Sequence, residues 1–402
     1  MHFGCTVRAQ NVVACRSNSR YELQLIALLC FPRNARSRKS LNVLPRSITT
    51  QSATYNSFAF PTTQLDPNFR NNMPVEILIF GAGAIGAFYG SRLAVNSDVK
   101  VSVICRSNYK AVSTNGFHVS SPQFGEQKWT PTRTFPSASE AQKSNVTWDY
   151  VIVSTKALPD VSDDSELLQG LISKGTAILL IQNGLGIEEP YARRYPDAII
   201  LSAVTITSAA QPEHGLIKHN KWTRINSGPY PVDSDVATRK NEVFNDLLQK
   251  AGIKDAASYS AQKMQQLRWH KIAINAAMNP SSVLALGISN SAMAKDPDAY
   301  EHLKGVMDEV FNAAQKVLGK PFPKEFATAE AILESTKRNT SGSVPSMQLD
   351  WQQGKRMELE VILANPIRLA REKGINMPRL QTMYALLKTA QSFREHSVKA
   401  KI

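Results

Sequence analysis

Cysteine is scarce in this chain of 402 residues, and its placement matters more than its number. Of the four cysteines, Cys5, Cys15 and Cys30 lie near the start and only Cys105 lies beyond them. The body of the chain therefore has no partner for an internal disulfide and no C-x-x-C pair to suggest zinc, which points to a reducing compartment. Long apolar runs are missing as well. The longest, residues 25–31 and 177–181, fall far below the ~18 residues a membrane-spanning helix needs. A content of 43% hydrophobic and 20% charged residues excludes collagen-like, mucin-like and wholly disordered chains. The length predicts two domains or more.

Acidic residues are the third shortage, 33 against 47 Lys and Arg for a formal charge of +14, and the deficit is concentrated. Within residues 1–70, Arg8, Arg16, Arg20, Arg33, Arg36, Arg38, Lys39, Arg46 and Arg70 face only Glu22 and Asp66, so half of the excess resides there. Arg-rich, Ser-rich, acid-poor composition without a sustained period is the pattern of a mitochondrial presequence. A disordered tail on a cytoplasmic protein, or a misassigned start, is the alternative. Beyond that segment no basic stripe interleaved with aromatics argues for nucleic acid as a partner.

What is present begins at residue 74. Val75–Phe80 (VEILIF) is a short apolar run that enters Gly81, Ala82, Gly83, Ala84, Ile85 and Gly86 directly, and a helical pattern follows. Strand, glycine turn and helix form the opening of a dinucleotide-binding unit. Gly81 permits the tight turn, Gly83 admits a pyrophosphate close to the backbone, Gly86 allows close helix–strand packing, and the helix N-terminus offers N–H groups to phosphate. A second β-rich run, residues 99–105, has the spacing of a βαβ unit. Where an NAD enzyme carries an acid after that strand, this chain carries Arg106, and a guanidinium suits a 2′-phosphate, so NADP (NADPH) is the expected cofactor. Further runs at 148–155, 177–181 and 198–204 read as strands buried on both faces of a parallel sheet. Lys156 and Asn183 follow two of them, at the carboxyl ends where open α/β sheets bind ligands.

From about residue 258 helical patterns dominate, over 261–278, 300–318, 346–373 and 379–393. In WHKIAINAAMNP, Lys271, Asn275 and Asn279 recur every fourth residue and share one helix face, either a solvent-facing edge or the lining of a cleft for an oxygenated ligand. Ser346, Asp350, Gly354 and Glu358 form a second stripe of the same spacing. Pro345 favours a helix start near Ser346, whose hydroxyl and neighbouring N–H groups suit a carboxylate. No metal-ligand cluster and no Cys–His pairing stands out.

GAGAIG at 81–86, QNG at 182–184, KIAINAAMNP at 271–280 and SMQLDWQQGKRMELE at 346–360 together resemble the ketopantoate reductase (2-dehydropantoate 2-reductase) family across about residues 75–393. The resemblance implies an α/β fold in which a Rossmann-like NADP domain (73–256) follows an N-terminal extension (1–72) and precedes an all-helical substrate domain (257–395) and a tail (396–402). It implies NADPH-dependent reduction of 2-dehydropantoate to (R)-pantoate in pantothenate biosynthesis, by a monomer or homodimer acting on a small 2-keto acid. Lys271 is then the catalytic lysine and Glu358 its acidic companion. Asn183, Asn275, Asn279, Ser346 and Asp350 contact or support the substrate, and Arg106, Lys156, Asn183 and residues 81–86 contact the cofactor. The chain departs from the pattern at Ala364-Asn365-Pro366, where many relatives carry a glycine, and matches weakly over 205–260. Two other readings of the same residues are a paralogue that reduces another branched keto acid or keto ester, and a non-catalytic NADP-binding protein.

Overall fold

The computed structural model describes residues 74–340 and 344–399. The presequence expectation for residues 1–70, with its three cysteines, lies outside the described residues. Ten strands form one sheet: β1 (Val75–Phe80), β2 (Val99–Ile104), β3 (Phe117–Ser121), β4 (Gly125–Trp129), β5 (Thr134–Phe135), β6 (Tyr150–Val153), β7 (Ala177–Leu180), β8 (Ile199–Glu213), β9 (Leu216–Tyr230) and β10 (Ala256–Ser258). Their order is β4-β3-β9-β8-β7-β6-β1-β2-β5, with β10 beside β9. The stretch from β8 to β5 is parallel, as the apolar runs predict, whereas β8 and β9 form a long antiparallel hairpin and β4 runs antiparallel to β3.

The apolar runs have a simple cause. Successive strand residues point to opposite faces, and both faces of this sheet are covered. Ile77 and Ile79 pack with Phe88, Tyr89, Leu93 and Phe244 on one side. Leu78 and Phe80 pack with Val151, Val153 and Leu180 in a core that continues into Ile272, Ala273 and Ala276 of the helical half. The sheet and the helices thus share one of the two cores, and that sharing brings the Ala261–Leu284 helix onto the carboxyl ends of the strands.

Helices succeed the sheet between Ser258 and Ala261. Their ends are encoded locally. Ser260 accepts a hydrogen bond from the Lys263 N–H, and Asp296 caps the Pro297–Leu318 helix, which stops at Gly319 in the left-handed region (φ 66°).

Three expectations need correction. The helix predicted over 346–373 is broken: it ends at Gln352, Gly354 takes φ 66°, and the chain re-enters helix through a π-helical turn, Glu360–Ala364, before Asn365–Arg371. Ser346 and Asp350 share the Ser346–Gln352 helix at the expected spacing, but Glu358 lies beyond the break and does not continue their face. The tail expected from 396 instead continues the last helix, Pro378–Lys399. The strand expected over 198–204 extends to Glu213, because its outer half pairs with β9 without needing the apolar side chains of a buried strand.

Candidate active site

The glycine turn has the geometry that its spacing predicts. Gly81 has φ 100°, and a Cβ there would lie 2.7 Å from Thr155, so both conformation and space demand glycine. At Gly86 a Cβ would stand 2.3 Å from Ser154 Oγ and 2.6 Å from the Gly81 carbonyl, which is the close helix–strand approach. A Cβ on Gly83 would meet nothing within 4 Å. That open space faces the N-terminus of the Ala84–Leu93 helix, whose first turn has no acidic residue and no side-chain cap. The turn therefore fits a pyrophosphate, which the backbone N–H groups of Ala84 and Ile85 would hold, while the Gly83 N–H donates to the Gly81 carbonyl (2.8 Å) and shapes the turn itself. Asn108 braces it, its Nδ2 donating to the Ala82 carbonyl at 2.8 Å. Arg106 is exposed on the same loop.

Lys271 and Asn275, both part-buried, line a small cavity with Gln182, Asn183 and Gly184, and Asn279 is buried one turn further on. The solvent-edge reading of this stripe is thereby set aside. The Lys271 ammonium donates to Asn183 Oδ1 (2.8 Å) and to the Thr205 carbonyl (2.9 Å). Burial and the nearby Arg268 cation push its pKa down to about 8, against the pull of Glu358. Glu358 is buried and accepts hydrogen bonds from the Ala157 N–H (3.1 Å) and from Asn183. Among the described residues it forms no ion pair with Lys271. Asn183 stands between the two, its oxygen toward the lysine and its amide toward the carboxyl group. Burial raises the Glu358 pKa, opposed by Lys156 and by these two hydrogen bonds.

Lys156, expected at the cofactor, is ion-paired with the buried Asp350 and so ties the end of β6 to the Ser346–Gln352 helix. Burial raises the Asp350 pKa and Lys156 opposes it. Ser346 is exposed at the first position of that helix and is not joined to the Lys271 cluster by any hydrogen bond among the described residues.

Several residues that pattern reading missed hold the Gln182–Leu185 loop. Gly184 has φ 107°, and a Cβ on it would lie 2.3 Å from Val361 Cβ. Asn365 Nδ2 donates to the Leu185 carbonyl (2.6 Å), and the Leu185 N–H donates to the Val361 carbonyl (2.9 Å). That carbonyl is free because in the π-helical turn its donor would be residue 366, a proline without an N–H. The Ala364-Asn365-Pro366 departure is thus what fastens the loop. Thr205 is braced from the opposite side, its hydroxyl sharing a 2.6 Å hydrogen bond with Tyr89.

A glycine turn on a parallel sheet, with a part-buried lysine from a helical half at the strand ends, defines the class of dinucleotide-dependent oxidoreductases built from a sheet and a helical part. Within that class, the chain belongs to the ketopantoate reductase family. The family model "Ketopantoate reductase PanE/ApbA" matches residues 77–231, and the model of its C-terminal part matches 263–391. An uncharacterised protein of Saccharomyces cerevisiae is 27% identical over 343 residues, covering 79% of this chain and 94% of that protein. A 2-dehydropantoate 2-reductase of Nostoc is 28% identical over 324 residues, covering 77% and 93%. The crystal structure of 2-dehydropantoate 2-reductase from Methylococcus capsulatus superposes with a TM-score of 0.70 at 29% identity, covering 80% of this chain and 98% of that one. Among the described residues no helix is long and apolar enough to cross a membrane.

Proposed function

We propose that this protein reduces 2-dehydropantoate to (R)-pantoate with NADPH, with Lys271 as the general acid. The observation that carries the reading is the setting of the Lys271 ammonium, fixed by Asn183 Oδ1 and the Thr205 carbonyl beside the cavity that Asn275 lines. Bound NADPH would supply a hydride to the C2 ketone. As the ketone is reduced, negative charge develops on its oxygen, and Lys271 stabilises that charge and donates the proton. An ammonium has three N–H donors; two are engaged, which leaves one for the carbonyl oxygen. A pKa of about 8 keeps the group protonated near neutrality while easing proton release.

Asn183 links this lysine to Glu358, so the carboxyl group orients the acid through the amide. Asn275 and Asn279 hold the substrate's oxygens without adding charge, and Ser346 with Asp350 serves its carboxylate end. Residues 81–86 hold the pyrophosphate, Arg106 the 2′-phosphate, and Lys156 the cofactor side of the Asp350 pair. The composition of residues 1–70 supports import into mitochondria.

Steady-state assays over a panel of 2-keto acids and keto esters, with NADPH and NADH, test the reading. The highest kcat/KM is expected for 2-dehydropantoate with NADPH. Preference for another keto acid would make the protein a paralogue of different specificity. NADPH binding without turnover on any substrate would make it a silent binder. A reporter carrying residues 1–70 should enter mitochondria, and a diffuse reporter would return the protein to the cytoplasm.

A further inference from the structure

Arg268 lies one helical turn before Lys271 on the Ala261–Leu284 helix, and only 2% of it is exposed. A guanidinium so far from water is tolerable only if it is paired and its donors are met. Here Nη1 donates to the carbonyls of Gln182 (3.0 Å) and Gly184 (3.1 Å), the two neighbours of Asn183. Nη2 donates to Ser202 Oγ (2.7 Å) and the Ala203 carbonyl (2.9 Å) on β8. Nε sits 2.9 Å from the buried Glu188 carboxylate, which itself accepts from Ser202 Oγ at 2.7 Å. The two acceptors of the Lys271 ammonium are Asn183 Oδ1 and the Thr205 carbonyl. The first lies between the carbonyls that Arg268 grips, and the second lies two residues along the strand from Ala203.

We infer that Arg268 is a positioning residue of this site: one planar fork fixes the loop and the strand that present both acceptors to Lys271, relative to the helix that carries the lysine. Its kinetic consequences rest on the reading of Lys271 as the proton donor. A lysine at 268 would not serve, because a point charge on a flexible stem cannot bridge the loop and the strand as a five-donor fork does.

The arrangement also has an electrostatic side. The charged groups that face Lys271 are Arg268 on its own helix and Glu358 from the segment after Gln352. Lys156 and Asp350 stand beyond Glu358, and Glu188 and Tyr230 lie against Arg268. Arg268 is the like charge among the groups acting on Lys271, and it opposes protonation of the lysine.

Two variants of the full chain separate these roles. Arg268→Lys keeps a positive charge and loses the fork. Arg268→Met with Glu188→Gln removes both buried charges together, so that no lone charge is stranded in the core. For each, melting temperature, NADPH affinity, and kcat and KM for 2-dehydropantoate across pH are measured. The titration of Lys271 without substrate is followed by NMR of 13C-methylated lysines, assigned with Lys271→Arg.

Both variants should bind NADPH like the parent and lose roughly ten- to a hundredfold in kcat, the cost of a lysine displaced by about an ångström. The Lys271 midpoint should stay near its parent value in Arg268→Lys and rise by about one pH unit in the double variant. Folded variants with kcat, KM and midpoint all unchanged would overturn the inference and leave Arg268 a structural residue. If Arg268→Lys does not fold, the double variant decides alone. If the parent turns over no keto acid, the functional reading fails, but the Lys271 methyl resonance in the charge-conserving Arg268→Lys still decides this inference: a shifted or broadened signal reports a lysine no longer held by its two acceptors and supports it, and an unchanged signal overturns it.

Discussion

The two halves of the site are built on opposite plans. The glycine turn takes its phosphate-facing groups from six consecutive residues, and only the space around Gly81 and Gly86 is closed from elsewhere, by Thr155 and Ser154 at the end of β6. The lysine cluster gathers side chains and backbone groups that are 66, 88 and 201 residues apart in the chain. A local device can be damaged at one position with a clearly local outcome. An assembled one depends on the loop and strand that carry it, so changes remote from Lys271 should reach it.

The largest effect expected from breaking this contrast is at the lysine itself. Lys271→Ala should lower kcat by about 10³-fold, the scale of a lost general acid, while NADPH titration stays near normal because the glycine turn is untouched. Retained turnover would reject the mechanism. Asn183→Ala should follow, with kcat down roughly ten- to a hundredfold, since it removes one acceptor of Lys271 and its link to Glu358. A change in KM alone would show that Asn183 serves only the substrate.

The glycine turn offers a sharper pair. Gly86→Ala places a methyl against Ser154 Oγ and the Gly81 carbonyl and should cost about 1–3 kcal/mol of stability, visible as a lower Tm before any ligand is added. Gly83→Ala meets open space, so its Tm should match the parent while NADPH affinity falls on the order of tenfold, about 1.4 kcal/mol. Equal Tm losses in the two variants would erase the distinction. Arg106→Ala should weaken NADPH by roughly tenfold, near the lower end for a lost charge-assisted contact, with little effect on NADH.

The pH dependence separates activity from stability at the same residue. With its pKa pushed down to about 8, Lys271 should lose its proton, and kcat/KM should decline, as pH rises above that value. Stability should move the other way. The charged lysine is disfavoured in the folded state, and between about 8 and its ordinary 10.5 the unfolded chain binds more protons, so this group's contribution to stability rises with pH across that window. Comparing Lys271→Met with the parent in denaturant titrations at several pH values checks the sign.

Much of the fold was legible because its signals are local. The run at 75–80 and the glycines after it specify strand, turn and helix within a few residues, and the apolar runs at 150–153 and 177–180 carry the burial of two covered faces. The stripe Lys271, Asn275, Asn279 was legible as a periodicity, although whether it faced water or a cleft was not. The break after Gln352 escapes the pattern because Gly354 falls in step with the four-residue stripe, and its left-handed φ becomes apparent only with the segment that follows. Arg268 gave no signal that set it apart from Lys263 and Lys271, the other cations of its helix.

The sequence by itself determined the dinucleotide turn, the order of sheet and helices, and the residue types available for chemistry, because glycine conformation, capping and burial patterns act over a few residues. The tertiary structure alone decided that Asn183 stands between Lys271 and Glu358, that Lys156 is bound by Asp350, and that the Arg268 fork and the carbonyl freed by Pro366 hold the loop at 182–185. The reason is physical. Those contacts exist only after the shared core has closed, and their geometry depends on donors, acceptors and lost water contributed from segments that no local pattern relates.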